Sequence, residues 1–195
     1  MSEKLTDVQG RALLELARTA LKTELSDDQS QLPADLQKRL QDPVFEQKLG
    51  TFVTLHLKGS LRGCIGSLEG TEPLRDNVHK NAINAAFRDP RFPPLGPNEL
   101  PEVDIEVSVL TSPSTLEFSS PRELTEKLRP GVDGVILKKG PAQSTFLPQV
   151  WEQLPQPEAF LNNLCQKAGL PFDAWEKEEI QILTYQVQSF AEKEG

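Results

Sequence analysis

The residue in this chain best suited to covalent chemistry is Cys64. It lies in the stretch LRGCIGSLEG, residues 61–70, directly after Gly63, two residues before Gly66 and two after Arg62. A thiol becomes a nucleophile as its thiolate, and a neighbouring cation favours that form. On a regular strand, Arg62 and Cys64 share a face, because side chains alternate. Arg62 is then the local activator, or the group that holds an anionic substrate beside the sulfur. The bland alternative is a small buried hydrophobe, a common fate of free cysteine. A proton carrier is needed as well, and His56 and Glu69 are the candidates. Glycine within a strand marks a bulge or a close backbone approach, so Gly63 and Gly66 suggest a crowded hairpin end against which substrate rests.

A second group lies in AAFRDPRFPPL, residues 85–95. Arg88, Asp89 and Arg91 crowd the end of a helix before a proline-stiffened turn. The guanidinium fork suits a carboxylate or phosphate, so the arginines are candidate substrate-binding residues with Asp89 among them. The alternative is a structural corner in which Asp89 pairs an arginine. Glu106 is a further possible acid–base group. His79 reads as a solvated flank of its helix, and Cys165 falls on an apolar helical stripe as core packing.

Several chemistries are disfavoured. There is no GxGxxG after a strand, no GxxxxGK[ST], no HExxH and no pair of CxxC motifs. No metal or cofactor is therefore expected. The net charge of −8 argues against nucleic acid as a partner. No apolar run approaches the roughly 20 residues of a membrane span. Two distant cysteines and no export signal point to reduced thiols and the cytoplasm, which also argues against a Cys64–Cys165 disulfide. At 195 residues the chain suits one domain or two small lobes.

The elements that position these residues follow from periodicity. Residues 7–21 form a helix, with Thr6 and Gln9 as a capping box, and 22–32 form a polar loop. A short helix opens at Pro33 and stops before Pro43. GTFVTLHL, with Val53, Leu55 and Leu57 against Phe52, Thr54 and His56, is a strand, and LRGCI returns as its hairpin partner. A loop of Lys58 to Ser60 sets His56 opposite Arg62, on the face of Cys64. A loop of Gly59-Ser60 sets it opposite Gly63 and turns it away, and the sequence does not choose between them. Residues 72–89 form a helix, 103–110 a strand and 120–128 a short helix. Residues 134–148 form two strands around 139–141, and 157–168 a helix with Gly169 as C-cap. Residues 179–190 read as one strand bulged near Leu183. The irregular order indicates an α+β fold with mainly antiparallel sheets flanked by helices. The pieces at 51–70 and 179–190 are candidates for a shared sheet, which makes one lobe discontinuous.

LRGCIGSLE (61–69), AAFRDPRFPPL (85–95), SVL (108–110), PGVDGVIL (130–137), FLPQVW (146–151) and the run from Phe160 to Leu170 resemble the AMMECR-domain family, whose bacterial and archaeal members are called AmmeMemoRadiSam system protein A. The resemblance covers about residues 8–192 as a single domain. It implies two unequal lobes with a cleft between them, to which Leu61–Gly66 contributes. It also implies partnership with a Memo-like protein and a radical-SAM protein. The radical chemistry belongs to that partner, since this chain lacks a cysteine cluster for iron–sulfur. The family brings no established activity.

Two readings follow. In one, Cys64 is the nucleophile or redox thiol of an enzyme acting on a small anionic substrate. In the other, the protein is a non-catalytic binding or adaptor module whose cleft holds a small molecule or peptide.

Overall fold

The structure, a computed structural model, describes residues 4–26, 32–177 and 179–192. The chain divides into two compact units, Met1–Leu110 with Gln188–Gly195, and Thr111–Val187.

The first unit opens with α1 (Asp7–Ser26), whose buried Leu13, Leu14, Ala17, Ala20 and Leu21 follow the helical period. Thr6 and Gln9 cap it reciprocally, with Thr6 N–H donating to Gln9 Oε1 at 2.8 Å and Gln9 N–H to Thr6 Oγ1 at 3.3 Å. The polar loop expected over 22–32 starts later, because the helix continues to Ser26 and packs Leu25 against the core. The rest of that expected loop, 27–31, lies outside the described residues. After α2 (Ala34–Arg39) come the strands β1 (Thr51–Leu57) and β2 (Ser60–Ser67), then α3 (Leu74–Phe87) and β3 (Val103–Leu110). With β8 (Val187–Ala191) they make a four-stranded sheet ordered β2-β1-β3-β8.

One face of this sheet presents Val53, Leu55, Ile105 and Val107 to α1 and α3, and these residues form a single apolar core. Helix and sheet meet so closely that a Cβ on Gly63 would lie 2.1 Å from the carbonyl oxygen of Ala85. Gly63 is thus required by the packing of α3. At Gly66 a Cβ would strike the ring of Phe52, which lies over that position.

The second unit holds β4 (Ser114–Thr115), α4 (Pro121–Lys127), β5 (Gly134–Lys139), β6 (Ala142–Phe146), α5 (Pro157–Lys167), α6 (Ala174–Lys177) and β7 (Gln181–Tyr185). Its antiparallel sheet runs β4-β7-β5-β6. Phe160 anchors the core, stacked on Trp151 at 3.7 Å between ring centroids and edge-on to Phe146. Helix α5 ends at Ala168, and Gly169 follows at φ 75°, the left-handed cap its residue type indicates.

The single bulged strand expected over 179–190 is two strands in two sheets. Gln186 separates β7 from β8, donating its N–H to Thr111 Oγ1 and accepting from Thr111 N–H, both at 2.9 Å. The change of phase after Tyr185 marks a passage from one sheet to another, not an extra residue in one ladder. Of the stretch 179–190, β8 joins the sheet of 51–67 and β7 does not.

Candidate functional site

The hairpin register decides what surrounds Cys64. Lys58 and Gly59 both have positive φ, 53° and 79°, as a two-residue mirror-image turn requires. Leu57 therefore pairs with Ser60, and His56 pairs with Leu61. The expected pairings of His56 with Arg62 or Gly63 are both absent. The ladder then shifts between Leu55 and His56, with Leu55 opposite Gly63 and Thr54 opposite Cys64. Arg62 is the extra residue of a β-bulge, so the alternation that sets it beside Cys64 on a regular strand breaks at Arg62 itself.

Arg62 is instead engaged elsewhere. It is 7% exposed and forks onto Glu99, with Nε to Oε1 at 2.8 Å and Nη2 to Oε2 at 3.0 Å. Its guanidinium also lies 6.0 Å from the ring centroid of Phe92. The Glu99 pair raises the guanidinium pKa, and the Arg62 fork holds the Glu99 carboxyl below its usual value. Arg62 Nη1 is buried with no hydrogen-bond partner among the described residues.

The cation that meets Cys64 is Arg91. Its Nη2 donates to the Cys64 carbonyl at 3.1 Å. Its pKa is raised chiefly by the hydrogen bond to Asp89. Asp89 is 4% exposed and receives Arg91 as a fork, Nε at 2.9 Å and Nη2 at 2.7 Å. Its Oδ2 also accepts the Cys64 N–H at 2.9 Å. The Arg91 hydrogen bonds hold its carboxyl well below the usual carboxylate range, against the cost of burial.

Strand β2 is an edge of its sheet. At Cys64 its outward N–H meets a carboxylate oxygen and its C=O meets a guanidinium, so Asp89 and Arg91 stand in for a neighbouring strand. Because that N–H points away from β1, Thr54 and Cys64 form a non-hydrogen-bonded pair, the kind whose side chains approach most closely. Thr54 Oγ1 accordingly donates to Cys64 Sγ at 3.3 Å. Backbone and sulfur are thus held from three directions.

The face that carries Cys64 and Thr54 lies opposite the one covered by α1 and α3. By strand alternation it also carries Phe52, His56, Asp104, Glu106 and Ser108. The register sets Thr54 opposite Glu106 and His56 opposite Asp104. Glu106 accepts from Ser108 Oγ at 3.3 Å, and Ser108 Oγ lies 2.9 Å from Ser189 Oγ on β8.

The other candidates lie apart from the sulfur. Arg88 is exposed at the C-cap of α3, donating to Asn84 Oδ1 at 3.1 Å. Glu69 is exposed, and its carbonyl accepts from Ser67 Oγ at 2.9 Å. His79 is exposed on α3. Cys165 is fully buried in the core of the second unit, where burial pushes its thiol up. Among the described residues no cluster of three or more His, Cys, Asp or Glu is arranged to hold a metal, and no helix is long and apolar enough to cross a membrane.

Sequence reasoning did not find three participants in this geometry. Thr54 became relevant only through the register. Glu99 lies far from Arg62 in sequence. Asp104 was legible only as one residue of an alternating strand.

The AMMECR1 family model matches residues 14–190. A protein of Methanothermobacter thermautotrophicus is 45% identical over 190 residues, covering 94% of each chain. One from Methanosarcina barkeri is 42% identical over 191 residues, covering 97% of this chain and 93% of that one. The fold is similar to the crystal structure of an uncharacterized protein from Pyrococcus horikoshii, with a TM-score of 0.79 and 36% identity over 98% of this chain and 95% of that one. Both blocks that grip Cys64, 61–69 and 85–95, fall inside the matched span, and the chain belongs to the AMMECR1 family.

Proposed function

We propose that this protein is a thiol-dependent enzyme in which Cys64 attacks a small anionic substrate. The observation that supports this is the three-way hold on Cys64 by Asp89, Arg91 and Thr54. A cysteine that only fills space needs none of these partners, as Cys165 illustrates. Arg91, bonded to the Cys64 carbonyl, supplies the nearby cation, the role first assigned to Arg62. His56 shares the face of Cys64 and is the proton carrier, taking the thiol proton as sulfur bonds to the substrate and returning it to the leaving group. The family resemblance supports a setting that includes a Memo-like protein and a radical-SAM protein.

One observation favours a second reading, a non-catalytic binding module. The Cys64 N–H is taken by Asp89, so it is not free to stabilise an oxyanion. Iodoacetamide labelling of Cys64 in a Cys165→Ala background, followed by mass spectrometry, separates the two. The enzyme reading expects labelling faster than a free thiol at neutral pH, slowed by Arg91→Ala. Labelling that requires denaturant sinks the enzyme reading and leaves the binding module.

A further inference from the structure

In the second unit, the sheet comes apart along one side of β7. Strand β4 pairs with only part of it, Ser114 with Thr184 and Thr115 with Leu183. The ladder ends where Leu116 N–H donates to the Ile182 carbonyl at 2.9 Å. Continued by two residues, it would set Phe118 opposite Ile180. Among the described residues, however, the backbone groups of Ile180 and Phe118 make no hydrogen bond. The two segments part instead, and a groove of about 370 Å³ opens between 115–118 and 179–182. Alternate residues of a strand turn their N–H and C=O to the same side, so Ile180 presents its backbone where Ile182 does, toward the groove.

The groove has an apolar floor and acidic lips. Leu116, Phe118 and Ile180 pack on the core that contains Ile182. Glu117 and Glu179 alternate with them in sequence and are exposed. Neither carboxylate pairs with a cation among the described residues. Lys127 reaches the Glu117 carbonyl at 2.7 Å, but its ion pair is with Glu123. Lys138 stands opposite Gln181, on the β5 side of β7. Around the second lip the sequence is acidic, with Asp173, Glu176, Glu178 and Glu179 against Lys177 alone over residues 171–182.

These features together select an occupant. A strand edge with unmet N–H and C=O groups accepts an extended chain, whose backbone bonds supply affinity. An apolar floor between acidic lips favours a chain whose side chains alternate apolar and basic. A small cation would use the lips and leave the Ile180 backbone unmet.

We propose that this groove docks an extended basic segment of a partner protein. The segment adds as a short strand beside Ile180, with apolar side chains toward Leu116 and Phe118 and lysine or arginine at Glu117 and Glu179. Every residue involved lies in the second unit, so the inference is independent of the chemistry assigned to Cys64.

The test is an amide NMR titration of the full chain with the acetylated and amidated peptide Val-Lys-Val-Lys-Val. The controls are Val-Glu-Val-Glu-Val and the lysine peptide N-methylated at alternate amides. The lysine peptide is expected to saturate, with shifts centred on 115–118 and 179–182. Its affinity should exceed that of the glutamate peptide about tenfold, since two attractive contacts replace two repulsive ones. The double variant Glu117→Gln, Glu179→Gln, altered only at exposed positions, should remove most of that difference, and N-methylation should abolish binding. Equal affinity for the lysine and glutamate peptides overturns the proposal, as does the absence of saturable binding. Undiminished binding of the N-methylated peptide overturns it in favour of a site for cations alone. Shifts at the same residues on concentrating the protein without peptide would overturn it in favour of a second copy of this chain.

Discussion

The two cysteines occupy opposite kinds of environment. Cys165 lies on α5 at 0% exposure, in one apolar core with Phe160, Leu161 and Leu164. Cys64 is half-buried on an edge strand, and its immediate partners are a carboxylate, a guanidinium and a hydroxyl. The second unit uses its thiol as volume. The first unit commits a buried aspartate and an arginine to fixing where its thiol stands. The second unit holds a similar pair, Asp133 at 2% exposure forked by Arg129, so a buried aspartate met by an arginine is not by itself a mark of function. Of the two thiols, Cys64 is the one whose backbone meets such a pair.

The largest expected effect tests the packed side. Phe160→Ala removes the ring that stacks on Trp151 and should cost about 4 kcal/mol in chemical denaturation. Labelling of Cys165 should become detectable below the unfolding midpoint, with labelling of Cys64 unchanged. A parallel change at Cys64 would erase the distinction.

A smaller effect tests the held side. Asp89→Asn weakens the Arg91 fork and should cost about 2 kcal/mol, the scale of a hydrogen bond to a charged group. It should also alter the acid response. The folded-state pKa values of Asp89 and Glu99 are both depressed, so their stabilisation is complete above the ordinary carboxylate values of 3.8 and 4.5. It is lost as pH falls through and below that range. The wild type should therefore destabilise progressively below about pH 4, and Asp89→Asn should show a shallower dependence. An unchanged acid profile would mean that Asp89 is not the fixed carboxylate described above.

The smallest stability effect comes with the sharpest local readout. Thr54→Val should shift stability by less than about 1 kcal/mol, since the sulfur loses only a weak partner. The labelling rate of Cys64 should nevertheless change, and Thr54→Ser should restore it. Loss of stability without a change in labelling would make Thr54 an ordinary sheet residue.

Much of the fold was legible because its strongest periodicities are local. The alternation VDIEVSVL is β3, and the stripe Phe160, Leu161, Leu164 is α5. The site was legible only in pieces. The two blocks that grip Cys64 each drew notice, but their meeting depends on a bulge of one residue at Arg62, which no propensity marks. The extra residue sends Arg62 to Glu99 and leaves the place beside Cys64 to Arg91. The C-terminal strands misled for a related reason. A phase change looks the same whether a strand bulges or leaves for another sheet, and only the partner Thr111 distinguishes them.

The placement of β8 has a consequence for biosynthesis. It is an edge strand of the first sheet, beside β3, yet the whole of the second unit lies between the two in the chain. As the polypeptide leaves the ribosome, α1 through β3 emerge together, but the edge of β3 stays bare until the second unit has been made. An unpaired edge invites the wrong partner. The nascent first unit must remain uncommitted, or shielded, through that interval. Closing the sheet is then a late, long-range step, of the kind that slows folding.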